Sequence, residues 1–367
     1  MGSGTTLVES LVNRRRSYGS DVNPVAVLIS KAKTTAIDPN LLKKEISDLL
    51  NKIKLDIRFV SERGEELSSG IFKNSIPDNK RIDYWFPTRQ KTDLAIILSS
   101  IKCIECESIQ RFLLCSFSNI LKQCSRWMMS SVKPTIDRHK IMADAYRSFE
   151  NQTKKMMIKN DELWKRVSGI DADCRVEEGD ARNIILPDSS VSLIVTSPPY
   201  VTSYEYGDIH QLTAIWLNYI DDIAEFRKKF IGSNKRRRIN PQIQSEVGKS
   251  IVKRLAIIDQ TAASGVEQYF SEMQECFQEM YRILKSGGRI SIVIGDTELR
   301  KIKIQNAKFF AESMQLLGFK KMKLIQRIIP RKILPLTRDE KTGRFVASVK
   351  ASRLAYPTEH ILIMKKL

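Results

Sequence analysis

Histidine and cysteine are scarce in this sequence, which has three histidines and six cysteines among its 367 residues. Six cysteines spread over a chain of this length do not form a disulfide framework. Cys103 and Cys106 have the C-x2-C spacing of zinc sites, but both lie in helical patterns, with no second such pair and no histidine close by. The sequence therefore predicts no metal site.

Long hydrophobic runs are also missing. No apolar segment approaches the roughly 20 residues that cross a bilayer, and the N-terminus has no signal-peptide pattern. We therefore expect a cytoplasmic protein that is not embedded in a membrane.

Acidic residues are outnumbered by basic ones. The chain has 42 Asp and Glu against 61 Lys and Arg, which gives a formal net charge of +19. Such an excess favours a polyanionic partner, with nucleic acid as the first candidate and an anionic membrane surface as the second. The hydrophobic content of 42% is sufficient for a real core, so a globular protein is predicted.

The spacing of apolar residues changes character twice along the chain. A glycine turn, a helix over residues 5–15, a strand over 17–22 and a helix after Pro24 follow one another in an order typical of doubly wound α/β units. From about residue 37 to residue 166, apolar residues recur at three- and four-residue spacing, which predicts helices. We therefore divide the chain into a first α/β part (1–37), a helical insertion (38–165) and the remaining α/β part (166–367).

Strand patterns return in the last part. "CRVEEGDA" and "SVSLIVTS" predict strands, the second of which is apolar enough to be buried on both faces. An amphipathic helix over residues 265–284 is predicted to stop at "KSGGR", and "RISIVIGD" predicts the next buried strand. A helix over 306–317, the segment "KKMKLIQRIIP" and a closing strand "EHILIMKKL" follow, so the whole predicts a doubly wound sheet with a large helical insertion.

A glycine-rich turn opens the chain. Gly2 and Gly4 allow the backbone to approach a ligand closely, and the helix that follows offers N–H groups to a carboxylate or phosphate. Asp21 ends the next strand 17 residues after Gly4, at about the offset where an acidic residue binds ribose hydroxyls in dinucleotide-type folds. An ordinary turn and a solvated aspartate are the alternatives.

Two further polar residues follow strands. Asp180 closes the strand in "EGDAR", and Ser197 follows the strand in "VTSPPY". Ligands of open parallel sheets bind at the carboxyl ends of the strands. We therefore expect Gly4, Asp21, Asp180 and Ser197 to converge.

Ser197, Pro198, Pro199 and Tyr200, which we call the SPPY corner, suit chemistry on an exocyclic amino group. The Ser197 hydroxyl and the Pro198 carbonyl can accept hydrogen bonds from the amine and direct its lone pair at a methyl donor. The proline rings fix φ near about −65°, so these acceptors are preorganised. Tyr200 would stack on a flipped base. The alternative is a strand terminator followed by a surface tyrosine.

These motifs resemble those of the S-adenosylmethionine-dependent amino-methyltransferases of DNA, the N4-cytosine/N6-adenine methylases. The resemblance rests on "GSGTT", "GSDVNP", "EGDA", "VTSPPY" and "EMYRILKSGGRISIVIGD", and covers residues 2–33 and 174–367. It implies a Rossmann-like class I methyltransferase sheet. The SPPY form is typical of N4-cytosine enzymes, while an N6-adenine methylase and an RNA base methylase remain alternatives.

The resemblance also assigns roles by position. Gly2, Ser3, Gly4 and Thr5 belong to the cofactor loop, Asp21 to the ribose contact, Asp180 and Ala181 to the adenine contact, the SPPY corner to catalysis, and Tyr204, Tyr206 and Asp208 to the target pocket.

A basic run lies shortly after the SPPY corner. Lys235, Arg236, Arg237 and Arg238 are the last residues of "KKFIGSNKRRR". We expect them to contact DNA phosphates, which gives salt-dependent affinity without sequence specificity. A solvated basic loop is the alternative.

Two features depart from the family pattern. Family members carry Asp-Pro-Phe-x before the glycine loop, and here Met1 stands at x, so we expect the first strand to be absent or supplied by a complementing upstream fragment. The insertion of roughly 130 residues between the Asp21 and Asp180 segments is longer than a crossover needs, and either reads the DNA target or supports the catalytic domain.

The favoured function is methyl transfer to the N4 amino group of cytosine in DNA, within a restriction-modification system that has a cognate restriction endonuclease. A truncated, non-catalytic nucleic-acid-binding remnant is the alternative of another class.

Overall fold

The computed structural model describes residues 1–63, 72–131, 133–170, 172–201, 206–233, 241–329, 337–338, 353–354 and 358–367. The chain divides into two compact units. The first unit comprises Met1–Glu178 and Glu205–Arg227, and the second comprises Gly179–Tyr204 and Lys228–Leu367. The first unit contains the whole insertion predicted over 38–165 as well as residues 1–37. The three-part division by function stays a prediction.

The first unit begins with α1 (Thr5–Val12), β1 (Ser17–Asp21) and α2 (Pro24–Thr34). The start of α2 follows from its sequence: the Asn23 side chain accepts a hydrogen bond from the Val25 N–H at 3.0 Å, and Pro24 fits the first helical position. β1 pairs in parallel with β2 (Cys174–Glu178), so that Asp21 lies opposite Glu178. Helix α1 ends three residues before the predicted position, because Arg14 adopts a φ of 56°.

The helical character predicted for residues 37–166 is confirmed. The helices are α3 (Pro39–Arg63), the 3-10 turn Lys73–Ser75, α4 (Lys80–Trp85), α5 (Thr88–Lys102), α6 (Glu107–Ile120) and α7 (Ala145–Val167). Leu94, Ile96 and Leu98 of α5 are 0% exposed, which puts this apolar helix at the centre of the core. Short helices α8 (Tyr206–Ile209), α9 (Gln211–Trp216) and α10 (Ile223–Lys228) follow later in the chain, and Trp216 packs edge-on against Phe117 in the same core.

The second unit is a mixed α/β structure. Its elements are β3 (Val191–Thr196), α11 (Glu246–Ala256), α12 (Gln260–Ile283), β4 (Leu284–Ile294), β5 (Thr297–Leu299), β6 (Ile302–Ile304), α13 (Asn306–Leu316), β7 (Phe319–Ile328), β8 (Thr337–Arg338), β9 (Arg353–Leu354) and β10 (Thr358–Lys366). Four strands form a sheet in the order β3-β4-β10-β7. β3 is parallel to β4, whereas β10 is antiparallel to both of its neighbours. The α/β class predicted from the sequence is confirmed.

The glycine pair after α12 forms part of a strand rather than a turn. Strand β4 starts directly at Leu284, and Gly287 adopts a φ of +77° inside it. At this point the pairing with β3 jumps from Leu284 to Arg289. Glycine therefore allows an irregularity in the strand where the sequence predicted only a helix stop.

One face of the four-stranded sheet forms the core of the second unit. Ile290, Ile292 and Leu362 are 0% exposed and pack with Phe277 of α12 and Phe310 of α13. The burial of Ile290 and Ile292 beneath these helices agrees with the apolar pattern of β4.

The prediction that β3 is buried on both faces is wrong. Leu193 is 52% exposed and Val195 is 42% exposed. The physical reason is that β3 lies at the edge of its sheet and has β4 as its described partner. The apolar run alone could not reveal this, because it is the same for a central strand and an edge strand.

Among the described residues, no helix is both long enough and apolar enough to span a membrane.

Candidate active site

The glycine loop has the backbone conformation that the sequence predicted for a close approach. Gly2 and Gly4 have φ values of 58° and 75°, in the left-handed region. A Cβ atom on Gly4 would lie 2.7 Å from the Ser30 hydroxyl oxygen, whereas one on Gly2 would meet no described atom within 4 Å. Gly4 is therefore required by packing, and Gly2 leaves an open side on the loop.

Helix α2 holds the loop from the protein side. The Ser30 hydroxyl donates to the Gly2 carbonyl at 3.2 Å, and the Lys33 ammonium donates to the Ser3 carbonyl at 2.9 Å. Gly4 is the N-cap of α1 and has no side chain that could cap the helix. The exposed Thr5 starts the helix. The first-turn N–H groups of α1 are thus suited to an anionic ligand group.

Asp21 lies against this loop, as the sequence predicted for β1 and the turn. The Gly2 N–H donates to Asp21 Oδ2 at 2.8 Å, and the Asn23 N–H donates to Oδ1 at 3.0 Å. The amino group of Met1 lies 3.4 Å from Oδ2. The carboxylate therefore joins the glycine loop to the end of β1 within the first unit.

His210 lies beside this cluster. Asn23 uses its side-chain oxygen to accept from the Val25 N–H, so its amide nitrogen faces His210 Nδ1 at 3.2 Å. In this arrangement Nδ1 accepts and the ring proton is on Nε2. Burial lowers the pKa of His210, against the opposing effect of the Asp21 charge. This half-buried, neutral histidine therefore supports Asn23.

Asp180 in the second unit is bound by a buried arginine. Arg182 Nε lies 2.9 Å from Asp180 Oδ1, and Arg182 Nη2 lies 2.6 Å from Oδ2. Arg182 also pairs with Glu272 at 3.2 Å. Burial acts to lower the pKa of Arg182, but the hydrogen bonding to Asp180 and the negative charges of Asp180 and Glu272 together outweigh it, and the pKa is raised. Ala181 is half-buried and packs against the core of this unit.

The SPPY corner continues from the carboxyl end of β3. Ser197 is exposed, and Pro198, Pro199 and Tyr200 are half-buried. The Tyr269 hydroxyl donates to the Pro199 carbonyl at 2.7 Å. The corner thus has its serine open to solvent and its second proline anchored to α12.

The ring of Tyr200 is held in place by the neighbouring strands. Its hydroxyl donates to Glu359 Oε2 at 3.2 Å, and Arg327 Nε lies 2.6 Å from Glu359 Oε1. Gly295, directly after β4, lies so close to the ring that a Cβ atom there would be 2.8 Å from Tyr200 Cε2. These contacts restrict the ring to one orientation.

The remaining predicted residues are described only in part. The Asp208 carboxylate pairs with Arg227, whose Nε lies 2.7 Å away. Tyr206 begins α8, but its side chain lies outside what the structure describes, as do Tyr204 and the basic run with Lys235, Arg236, Arg237 and Arg238. A target-pocket role for Tyr204, Tyr206 and Asp208 stays a prediction.

The residues predicted to converge fall into two groups. Gly4 and Asp21 belong to the first unit, and Asp180 and Ser197 belong to the second. Within the first unit, Asp21 contacts the glycine loop through the Gly2 N–H. The convergence of all four stays a prediction.

Sequence reasoning missed Arg182, Tyr269, Glu272 and Glu359. One signal was available: Gln268 and Glu272 are four residues apart on a helix, at positions that the pattern of α12 turns towards the core. A charged residue at a core position requires a partner.

The cysteines and histidines do not assemble into a metal centre in the described part of the chain. No group of three or more His, Cys, Asp or Glu residues there is placed to hold a metal ion. Cys103 and Cys106 are both exposed.

Residues 191–367 match the family profile of the N6/N4 methyltransferases, which is described as DNA methylase. The part of the chain from β3 onwards belongs to the N6/N4 DNA methylase family. The matched region starts at β3 and contains the SPPY corner together with Tyr269 and Glu359.

Curated relatives of this methylase include two type II methyltransferases. M.MvaI of Kocuria varians is 26% identical over 360 residues, which cover 91% of this chain and 77% of the relative. M.MjaII of Methanocaldococcus jannaschii is 44% identical over 54 residues, which cover 15% of this chain and 10% of the relative.

Solved structures similar to this methylase include TTHA0409 of Thermus thermophilus, described as a putative DNA modification methylase. That structure is 20% identical, with a TM-score of 0.27 and coverage of 51% of this chain and 52% of its own. A second structure of TTHA0409, in complex with S-adenosyl-L-methionine, has 20% identity, a TM-score of 0.26, and coverage of 51% of this chain and 51% of its own. The chain thus spans about half the length of these structures.

Proposed function

We propose that this methylase transfers a methyl group from S-adenosyl-L-methionine to the N4 amino group of cytosine in DNA. The observation that carries the proposal is the SPPY corner at the end of a parallel strand, with Ser197 exposed and Tyr200 fixed by Glu359. Serine at the first position favours cytosine over adenine, because the resemblance associates the SPPY form with N4-cytosine enzymes.

The chemistry follows from the acceptors at the corner. An exocyclic amino nitrogen is a poor nucleophile, because its lone pair is delocalised into the base. The Ser197 hydroxyl and the Pro198 carbonyl accept hydrogen bonds from this amine and direct the lone pair towards the methyl group. The amine becomes acidic as the new bond forms, so its proton leaves to solvent without a strong base. Tyr200 stacks on the flipped base.

The residues of the glycine loop fit S-adenosyl-L-methionine. The uncapped N-terminus of α1 suits the carboxylate of the methionine part, and Gly2 leaves room beside the loop. Asp21 suits the ribose hydroxyls. The adenine contact of Asp180 is part of the proposal and requires Arg182 to share the carboxylate, on which it places four hydrogen bonds. When bound, the cofactor would supply an electrophilic methyl group, whose bond to sulfur breaks as the bond to nitrogen forms, and S-adenosyl-L-homocysteine would be the leaving group.

DNA is the substrate of the family, and the formal charge of +19 suits it. Phosphate contacts by Lys235, Arg236, Arg237 and Arg238 are part of the proposal, as are a cytoplasmic location, a restriction-modification role and a cognate endonuclease. The similarity to the type II methyltransferase M.MvaI supports the last two.

A complementing strand-bearing segment is also part of the proposal. β3 lies at the edge of its sheet, with exposed Leu193 and Val195, although it is parallel to its neighbour and apolar. Parallel strands are ordinarily covered on both sides. The segment would add a further strand to this edge.

The first test is transfer of labelled methyl groups to unmethylated genomic DNA, followed by nucleoside analysis. We expect N4-methylcytosine. Ser197→Ala should lose most of the transfer, and Ser192→Ala, which changes an exposed serine on β3, should retain it. N6-methyladenine as the product would overturn the cytosine assignment, and label in RNA alone would overturn the DNA assignment.

Calorimetry with S-adenosyl-L-methionine tests the rest of the proposal. This chain should bind the cofactor, and more tightly when a segment that adds a strand beside β3 is supplied. Nucleic-acid binding without cofactor binding in either form would favour the non-catalytic alternative.

A further inference from the structure

Helix α12 carries polar side chains into the core of the second unit. Gln268 is 7% exposed, Tyr269 is 1% exposed and Glu272 is 0% exposed. Their helical neighbours Phe270 and Phe277 are fully buried and apolar. Burial of an ionised carboxylate is costly unless it is paired and hydrogen-bonded. The partners of these side chains therefore indicate why polar groups are present there.

Tyr269 connects α12 to the SPPY corner. Its hydroxyl donates to the Pro199 carbonyl at 2.7 Å, across 70 residues of sequence. Its ring packs on Gly232, where a Cβ atom would lie 2.9 Å from Tyr269 Cδ2 and where φ is +72°. The hydroxyl thus fixes the orientation of the peptide that follows the Pro198 acceptor.

Glu272, one turn further along α12, connects the helix to Asp180. Its Oε2 accepts from the Gly232 N–H at 2.7 Å, and its Oε1 accepts from the Gln268 side chain at 3.3 Å. Its carboxylate also pairs with Arg182, 3.2 Å away. Arg182, with a side chain only 9% exposed, in turn holds both oxygens of Asp180.

We propose that Tyr269 and Glu272 are positioning residues for methyl transfer, with separate effects. Tyr269 positions the SPPY corner and so affects the reaction step. Glu272 acts through Arg182 on Asp180 and so affects cofactor affinity. The inference rests on the proposed function, which assigns catalysis to the SPPY corner and cofactor binding to Asp180. The contacts of Tyr269 and Glu272 do not depend on that assignment.

Tyr269→Phe removes one hydroxyl and keeps the ring. The Pro199 carbonyl then loses its donor, and the preceding acceptors lose their fixed direction. A misplacement of about 1 Å in reacting groups costs on the order of 100-fold in rate. We expect kcat to fall at least ten-fold, while KM for S-adenosyl-L-methionine stays within two-fold.

Glu272→Gln keeps the shape of the side chain and one oxygen for the Gly232 N–H. The amide nitrogen then faces Arg182, which loses its second carboxylate partner. Because Arg182 is what holds Asp180, we expect the dissociation constant of S-adenosyl-L-methionine to rise at least five-fold. At saturating cofactor, kcat should stay within two-fold.

Tyr281→Phe is the matched control, since Tyr281 lies on the same helix and packs against Phe319 instead of the SPPY corner. We expect it to change neither parameter. Thermal unfolding of all variants distinguishes a variant that fails to fold from one in which only the SPPY corner or Asp180 is misplaced. In the double variant Ser197→Ala with Tyr269→Phe, the losses in kcat should be smaller than additive, because both changes affect one arrangement of acceptors.

The experiment has clear contrary outcomes. Unchanged kcat in Tyr269→Phe, or equal losses of kcat and cofactor affinity in both variants, would overturn the inference and leave only a structural role. If the unaltered protein transfers no methyl group, the proposed function fails. Calorimetry of Glu272→Gln with the cofactor then still tests the link to Asp180, because binding needs no turnover.

Discussion

Replacing Gly4 with alanine should damage the cofactor loop through a contact with helix α2. The residue has a φ of 75°, and its added Cβ would lie 2.7 Å from Ser30 Oγ and 3.0 Å from Ser30 Cα. Ser30 is 0% exposed, so it has no open space into which it can retreat. The change therefore combines backbone strain with overpacking.

The magnitude follows from these two effects. A left-handed conformation costs an alanine about 1–2 kcal/mol, and overpacking of a well-packed site costs about 1–3 kcal/mol. The lower entropy of unfolded alanine offsets about 0.4–1 kcal/mol. We expect Gly4→Ala to lower the free energy of unfolding by about 2–4 kcal/mol.

Gly169→Ala is the matched control in the same unit. Gly169 has a φ of +80°, but its Cβ would meet no described atom within 4 Å. Only the strain remains, so the expected loss is about 1 kcal/mol or less after the entropy offset.

Urea unfolding followed by circular dichroism measures both losses, provided that the slope with denaturant is unchanged. Calorimetry with S-adenosyl-L-methionine should find binding lost in Gly4→Ala and kept in Gly169→Ala. Equal losses of stability in the two variants would refute the role assigned to Ser30.

Three other measurements test the structure at separate places. Ile292→Ala should lower the free energy of unfolding by about 2–5 kcal/mol, because Ile292 is 0% exposed. Val195→Ala on the exposed strand β3 should lower it by less than about 1 kcal/mol. Similar losses for the two variants in urea unfolding would contradict the edge position of β3. Burial lowers the pKa of His210 in the folded protein, so the unfolded chain binds a proton to this histidine more readily. The free energy of unfolding should therefore fall as the pH drops below about 6.5. A His210→Gln variant whose melting temperature falls just as steeply between pH 7 and 5 would rule out His210 as the cause. A hydrogen bond from Ser108 lowers the pKa of the exposed Cys106 thiol, whereas burial raises the pKa of the Cys276 thiol. Iodoacetamide should therefore alkylate Cys106 well before Cys276, as followed by peptide mass spectrometry.

Local chemistry made much of the first unit predictable. Asn23 followed by Pro24 begins α2 at the residue that capping rules indicate, and the two glycines of the first turn have the positive φ values that only glycine adopts readily. Asp21 reaches the loop because a short strand and a tight turn leave few other arrangements. Contacts of this kind depend on residues near one another in sequence or on one βα unit.

Long-range contacts made the rest unpredictable. The apolar run of β3 carries no information about its neighbours, so its position at a sheet edge emerged only from the strand order. Nothing near Tyr269 in the sequence indicates that its hydroxyl reaches Pro199. Asp180 was predicted as a ligand contact, but its buried partner Arg182 depends on Glu272, which lies on a distant helix.

By itself, the sequence determined the α/β class, the helical segment over 37–166, the glycine turn and the SPPY corner, because each depends on backbone preferences and on spacing along the chain. The tertiary structure alone decided that β3 lies at the edge of its sheet in the described part of the chain, that α12 holds the corner through Tyr269, and that Glu272 is buried against Arg182. The physical reason is that burial and pairing depend on which distant segments meet, and a fully buried polar group is stable only where such a meeting supplies its partner.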